Sequence, residues 1–213
     1  MCVLLGRFRT NARSKSYGVG MTAQTPVAFD AAVEQLRRCV VRADVSIHEV
    51  PAPARVAPHS FALSAEVLIG PPGSDADSDL ASGRFVVLHD PAGQDAWQGT
   101  TRIVIFARAD LEDDMAGDPL LAGVTWSWLQ EALSAHGAAH RASGGTVTLT
   151  ASSRFGAMAG VPDVHEVELR CSWTPDSDDL EPHLHAYVDL VASIAGLPPS
   201  VPGVVPLSTR RRA

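Results

Sequence analysis

One short segment of the sequence concentrates side chains that could do chemistry. Residues 88 to 99 carry an imidazole, two carboxylates, two side-chain amides and an indole: His89, Asp90, Asp95, Gln94, Gln98 and Trp97. A histidine can accept a proton near neutral pH, and a neighbouring carboxylate can fix which ring nitrogen carries its proton. The segment therefore predicts either a general base or a polar binding loop.

A structural role for the same residues competes with that interpretation, and the sequence favours it slightly. Trp97 would cover the open end of the core, and Asp90 would organise a turn. Arg154, which follows a later strand, could approach His89 and bind an anion, or it could stack on an aromatic ring. Both interpretations stay open. The candidate functional residues are His89, Asp90, Gln94, Trp97, Gln98 and Arg154.

Metal and cofactor motifs are incomplete. Asp75, Asp77 and Asp79 imitate the start of a calcium loop, but Leu80 stands where that loop needs glycine and Val86 where it needs a bidentate acid. No nucleophile elbow and no phosphate-binding loop occur. We therefore expect no cofactor.

The histidine pairs also argue against a metal site. His136 and His140 have helical spacing, but Gly137 lies between them. His183 and His185 would diverge by about 200° on a helix and so could not chelate one ion together. We therefore expect these histidines to be structural and expect no metal.

Charge is distributed unevenly along the 213 residues. The net charge is −7, from 17 basic and 24 acidic residues, and seven of the cations lie in the two terminal stretches. Removing those seven leaves 10 basic against 24 acidic residues, so the middle of the chain carries about −14. Because such a body repels phosphate, nucleic-acid binding is disfavoured.

Cysteine usage and hydropathy indicate a cytoplasmic protein. Cys2, Cys39 and Cys171 are odd in number and far apart, which is typical of a reduced chain. The apolar run 3–5 is too short for a signal peptide, and no stretch approaches 18 apolar residues, so we expect no membrane span. A helix start directly after Met21 suggests that Met21 is the biological start.

Hydrophobic spacing predicts three helices. The first begins at Thr25 and turns Phe29, Val33, Leu36 and Val40 toward the core. The second runs from Asp118 to a stop at Gly137, and the third runs from Asp178 or Asp179 to Gly196.

Alternating patterns predict the strands. They lie near 45–48, 61–69, 84–89, 98–108, 146–150 and 167–173. A mobile loop is expected between Gly70 and Gly83, and a tight turn at Asp90–Gly93.

These elements predict an α+β fold with the order α-β-β-β(-β)-α-β-β-α. No regular strand–helix alternation occurs, so we expect a single antiparallel β-sheet of about five or six strands with three helices mainly on one face. One domain is expected over 22–197. A basic disordered lead would occupy 1–21, and a Pro-rich basic disordered tail would occupy 198–213.

Several ordered blocks resemble a known family. They are Leu88-His89-Asp90-Pro91, Trp97-Gln98-Gly99, Trp126-Ser127-Trp128-Leu129, Ser152-Ser153-Arg154-Phe155-Gly156 and Ser172-Trp173-Thr174-Pro175. Together they resemble an uncharacterised actinobacterial family, domain of unknown function 3000, over roughly residues 29–199. The resemblance implies a cytosolic actinobacterial protein with no assigned reaction, whose gene often lies near one resembling ribonuclease D.

Three functions follow from these observations, and we expect binding rather than catalysis. The first is a protein-binding or adaptor module, with a protein partner or as a homodimer, because the element order is similar to that of small secretion chaperones. The second is a hydrolase or transferase with His89 as general base, Asp90 or Asp95 orienting it, and Arg154 holding an anion. The third is an RNA-associated accessory protein.

The first hypothesis rests on a sheet face left free by the helices. That face would show Ser64, Glu66, Arg102, Phe106, Thr146, Thr148, Thr150, Glu168 and Arg170.

Overall fold

The computed structural model describes residues 26–68, 79–111, 115 and 117–198. Within those ranges the chain forms three α-helices, six β-strands and one 3-10 turn. In chain order they are α1 (Val27–Arg38), β1 (Ser46–Glu49), β2 (His59–Leu68), β3 (Asp79–Gln94), β4 (Gly99–Leu111), α2 (Leu121–Ala135), β5 (His140–Ser152), the 3-10 turn Gly156–Met158, β6 (Val164–Pro175) and α3 (Glu181–Ile194). This order confirms the prediction, including its optional fourth strand before α2.

All six strands join one antiparallel sheet in the spatial order β1-β2-β3-β4-β6-β5. The register aligns Leu63 with Phe85, Phe85 with Ile105, and Ile105 with Cys171. The turn 95–98 between β3 and β4 marks one end of the sheet, which we call the hairpin end. Leu111 and His165, which pair with each other, mark the other end, which we call the far end.

The helices cover one face of this sheet, which confirms the predicted fold class. Odd-numbered strand residues such as Phe85, Ile105 and Leu169 are buried in one continuous core with α1, α2 and α3. Helix α3 lies centrally, and its Tyr187 ring sits 5.5 Å from the ring of Phe85. Burial of one such large side chain stabilises the fold by roughly 1.5–3 kcal/mol.

The other face carries a smaller apolar cluster near the hairpin end. Ala62, Val86 and Leu88 are buried there, and Val50 and Trp97 pack against them. Val50 donates its backbone N–H to the carbonyl of Ala62 at 3.0 Å, which ties the segment after β1 to this face. Toward the far end the even-numbered strand positions are exposed or half-buried, and we call this region the open face.

Two predictions about β3 are wrong. The strand already begins at Asp79, where a loop was expected to continue to Gly83, and it runs on through Asp90–Gly93, where a turn was expected. The turn occupies residues 95–98 instead, and the pairing shifts between His89 and Gln94 to absorb the extra residues. Near Gly83, ladder pairing on both sides of β3 outweighs the local preference of glycine for turns, whereas residues 90–93 form the irregular stretch between the pairs His89–Thr101 and Gln94–Gly99.

Helix boundaries also differ by a few residues. Helix α1 ends at Arg38, so Val40 is 84% exposed instead of facing the core. Helix α2 starts at Leu121 rather than Asp118, whose carboxylate accepts a hydrogen bond from the N–H of Leu120 at 2.8 Å. Thr25, Met21, the loop residues 70–78 and both predicted tails except Pro198 lie outside the described residues. None of the described helices is long and apolar enough to cross a bilayer.

Candidate functional site

His89 lies at the hairpin end, on the helix-covered face of β3. Its Nδ1 is 3.0 Å from Oγ1 of Thr101 on the neighbouring strand, and its ring stacks on Phe29 of α1 at 5.3 Å between centroids. The ring of His59 is 6.1 Å away. A cavity of about 20 Å³ borders His89, which is room for about one water molecule and not for a substrate.

The surroundings of His89 favour its neutral form. Desolvation is the main cause that lowers its pKa below the usual value, and the neighbouring His59 lowers the pKa further. The carboxylates of Asp178 and Asp90 raise the pKa of His89, but the net effect is still a lowered pKa. A neutral imidazole can accept a proton, so His89 could act as a base. The cavity beside it, however, is too small for a reactant.

Asp90 and Gln94 organise the irregular end of β3. One carboxylate oxygen of Asp90 accepts the N–H of Ala92 at 3.0 Å, and the other accepts Nε2 of Gln94 at 3.2 Å. Both oxygens therefore serve the local backbone geometry, which is the structural role that the sequence offered as the alternative.

Trp97 and Gln98 act through packing and backbone groups. The Trp97 side chain packs on the small cluster of the other face, so the sheet separates it from His89. The Trp97 carbonyl accepts a hydrogen bond from the Thr174 hydroxyl. The backbone of Gln98 has a φ of +56°, and its carbonyl accepts Nε and Nη2 of Arg141 at 3.1 and 2.9 Å. These bonds fix the hairpin against β5 and β6.

Arg154 lies at the far end of the sheet. It follows Ser152, which pairs with Val164 at the start of β6, whereas His89 pairs with Thr101 near the opposite end. Its guanidinium donates to the carbonyl of Pro162, and its backbone N–H donates to Asp163 at 3.4 Å. The structure therefore does not bring Arg154 and His89 into one site, which the enzyme hypothesis required.

Two large grooves also lie apart from this pair. One, of about 680 Å³, lies near the far end between α2, the end of α3 and the sheet, with Trp128 and Leu111 in its walls. The other, of about 670 Å³, borders His59 and the Arg37–Glu49 ion pair. Neither groove is lined by both His89 and Arg154.

A second cluster was missed by sequence reasoning. Cys39, which follows α1, meets Glu181 and His185 from the first two turns of α3. Burial and then Glu181 raise the pKa of the Cys39 thiol to about 11, so without a metal it is protonated at neutral pH and is no nucleophile. Cys39 lies 142 residues from Glu181, so no local motif could reveal the cluster. The only signal was the i, i+4 spacing of Glu181 and His185.

The open face carries an aligned set of polar and aromatic residues. Six residues, one from each strand, are register partners of one another on neighbouring strands and so form a line across the whole sheet. We call this set the cross-strand row. Its members, from β1 to β5 across the sheet, are His48, Ser64, Arg84, Phe106, Arg170 and Thr146.

A scan of protein-family models matches residues 25–205 to the family described as "Protein of unknown function (DUF3000)". The chain belongs to this family. The match spans every described helix and strand of the DUF3000 fold and confirms the resemblance, whereas the actinobacterial origin stays a prediction. Comparisons with curated proteins and with solved structures find no match.

Proposed function

We propose that this DUF3000 chain is a protein-binding module that holds an extended, acidic segment of a partner protein along the cross-strand row. The observation that carries the proposal is the row itself, which crosses all six strands on the face that the helices leave open. Strands lie about 4.8 Å apart, so five intervals span about 24 Å, or about seven residues of extended chain.

The row offers an aromatic surface between two cations. Phe106 is half-buried at its centre, and the guanidinium carbon of Arg170 lies 5.1 Å from the centroid of the Phe106 ring. Arg84 pairs with Phe106 from the other side, is exposed, and makes no ion pair within the described ranges. An exposed arginine beside a half-buried ring suits a carboxylate next to an apolar side chain.

Charge supports an acidic partner. The row contains two arginines and one histidine but no acid, although the chain as a whole has a net charge of −7. Glu168, two residues from Arg170 on the same strand and nearer the far end, accepts a hydrogen bond from Arg170 Nε at 2.5 Å. It therefore neutralises part of the positive charge of Arg170. Arg84 is therefore the cation most available to a partner. A seven-residue contact is small, so we expect micromolar affinity.

The competing functions receive less support. His89 has room for one water beside it, Asp90 uses both oxygens on its own segment, and Arg154 is at the far end. The net charge of −7 disfavours RNA, whose many phosphates would extend beyond the arginines of the cross-strand row. A cytoplasmic setting is part of the proposal, and it fits the free thiols of Cys39 and Cys171.

Site-specific photo-crosslinking in cells tests the proposal. A photo-reactive phenylalanine analogue is placed at position 106 and, as the matched control, at the partly exposed position 124 on α2. We expect a product at 106 that is absent at 124 and is lost with Arg84→Glu. The cross-linked segment, made as a synthetic peptide, should be acidic and should bind the purified chain.

Three outcomes would overturn this proposal. They are the same products at both positions, a cross-linked segment without acidic residues, and a product that joins two copies of this chain. The last outcome would identify the open face as a self-association surface instead.

A further inference from the structure

Three metal-ligating side chains meet where α1 ends and α3 begins. Glu181 and His185 are four residues apart on α3, so they project from the same side of the helix, and Cys39 approaches from the residue after α1. All three are partly buried, and their ligating atoms lie within 4.8 Å of one another.

Two of the three distances match those between ligands that share a metal ion, and the Sγ–Oε1 distance is somewhat longer. Cys39 Sγ lies 3.4 Å from His185 Nε2 and 3.9 Å from Glu181 Oε1. The distance between His185 Nε2 and Glu181 Oε1 is 3.5 Å. An N–H···O hydrogen bond spans about 2.7–3.2 Å, so the 3.5 Å contact is too long for one. Ligands bound to zinc at about 2.0–2.3 Å in tetrahedral geometry are separated by about 3.3–3.6 Å.

Neighbouring side chains already orient two of the ligands. Gln35, one turn before Cys39, donates Nε2 to the other carboxylate oxygen of Glu181 at 3.3 Å, which leaves Oε1 directed toward the cluster. The His185 ring stacks on His136 at 5.5 Å, and Asp189 holds His136 at 2.7 Å. Such supporting contacts are typical of metal sites, where they set the orientation of the ligands.

We propose that Cys39, Glu181 and His185 bind a divalent metal ion of the zinc class, with a fourth coordination position open to solvent. Thiolate, imidazole and carboxylate together favour zinc over magnesium or calcium, which prefer oxygen ligands alone. On binding, Cys39 releases its proton to solvent, so the thiolate and the carboxylate balance the charge of the ion. A groove of about 470 Å³ beside Cys39 and Glu181 gives access to the fourth position.

Cobalt titration of the purified, tag-free full-length chain tests the site. Co²⁺ reports thiolate ligation through a charge-transfer absorption band that oxygen and nitrogen ligands alone do not give. We expect one equivalent of Co²⁺ to bind with this band, and Zn²⁺ to displace it. Cys39→Ser should abolish the band, whereas the matched control Cys2→Ser should keep it. Absence of the band from the unaltered chain, or its survival in Cys39→Ser, overturns the proposal.

Two further variants separate ligation from folding. Gln35→Leu removes the hydrogen bond to Glu181 together with the 2.9 Å bond from Gln35 Nε2 to Asp179, so the band should persist while the dissociation constant rises about 10- to 100-fold. His136→Phe keeps a ring against His185, so it should leave one equivalent bound with unchanged absorption. If His136→Phe changes the absorption or prevents binding of one equivalent, the open fourth position is wrong, because His136 would then be a ligand.

Discussion

His183 is a buried histidine that the fold holds in its neutral form. It is 1% exposed, and its Nδ1 accepts a hydrogen bond from Trp173 Nε1 at 3.1 Å. Burial, with a smaller effect of His140, lowers its pKa to about 4, against about 6.5 in an unfolded chain. Below pH 6.5 the unfolded chain takes up a proton that the folded chain does not. The contribution of this group to stability is therefore complete above about pH 6.5 and is lost as the pH falls toward 4.

This residue gives a prediction about pH. Between pH 7 and pH 5, the unfolding free energy measured with urea should fall by about 2 kcal/mol on account of His183. His183→Gln retains an acceptor for Trp173 but does not titrate, so this part of the pH dependence should disappear. The matched control is His48→Gln, which removes an exposed imidazole from the open face. An equal pH dependence in His183→Gln would contradict the assignment.

At the scale of elements, β3 is packed against α3 through a glycine. A Cβ atom added to Gly83 would lie 2.4 Å from the carbonyl oxygen of Phe106 and 2.6 Å from the Tyr187 hydroxyl. Gly83 is thus needed for close approach and not for a turn. The Tyr187 hydroxyl is itself buried, with no hydrogen-bond partner among the described residues.

Two substitutions test this contact by urea unfolding, and a third, in α2, serves as a comparison. Gly83→Ala should destabilise the fold by about 2 kcal/mol, because the new methyl group overpacks a rigid contact. Tyr187→Phe should stabilise it by about 1 kcal/mol by removing an unbonded buried hydroxyl. Gly123→Ala, in α2 where nothing lies within 4 Å, should stabilise by about 1 kcal/mol. A stable Gly83→Ala variant would show that the contact can relax.

These elements also show how far the sequence could lead. Alternation such as Phe61, Leu63 and Ala65 predicted both the strands and the face that they bury, since burial on one face requires that pattern. Gly83 was misinterpreted because a glycine taken locally indicates a turn, whereas the requirement for Gly83 comes from Tyr187 of α3, about 100 residues away. The Cys39 cluster escaped for the same reason, since its geometry arises only when α1 meets α3.

At the scale of the whole molecule, the two proposed sites lie on opposite sides of the β-sheet. The Cys39 cluster lies on the helix-covered side, with Cys39 packed against the main core. The cross-strand row lies on the other side of the same sheet. Between them stands a layer of fully buried side chains such as Phe85 and Ile105, so the two proposed sites have no shared residue through which one could directly alter the other.

The last prediction concerns the independence of these surfaces. Arg84 is exposed, so Arg84→Glu should change the unfolding free energy by less than about 0.5 kcal/mol while it reverses the charge that the acidic peptide meets. Peptide affinity, measured by fluorescence anisotropy, should fall as salt rises and be lost in this variant. Cys39→Ser and treatment with a chelator should leave the affinity unchanged, because they act across the buried layer. If removal of the metal instead weakens the peptide, the two surfaces are coupled.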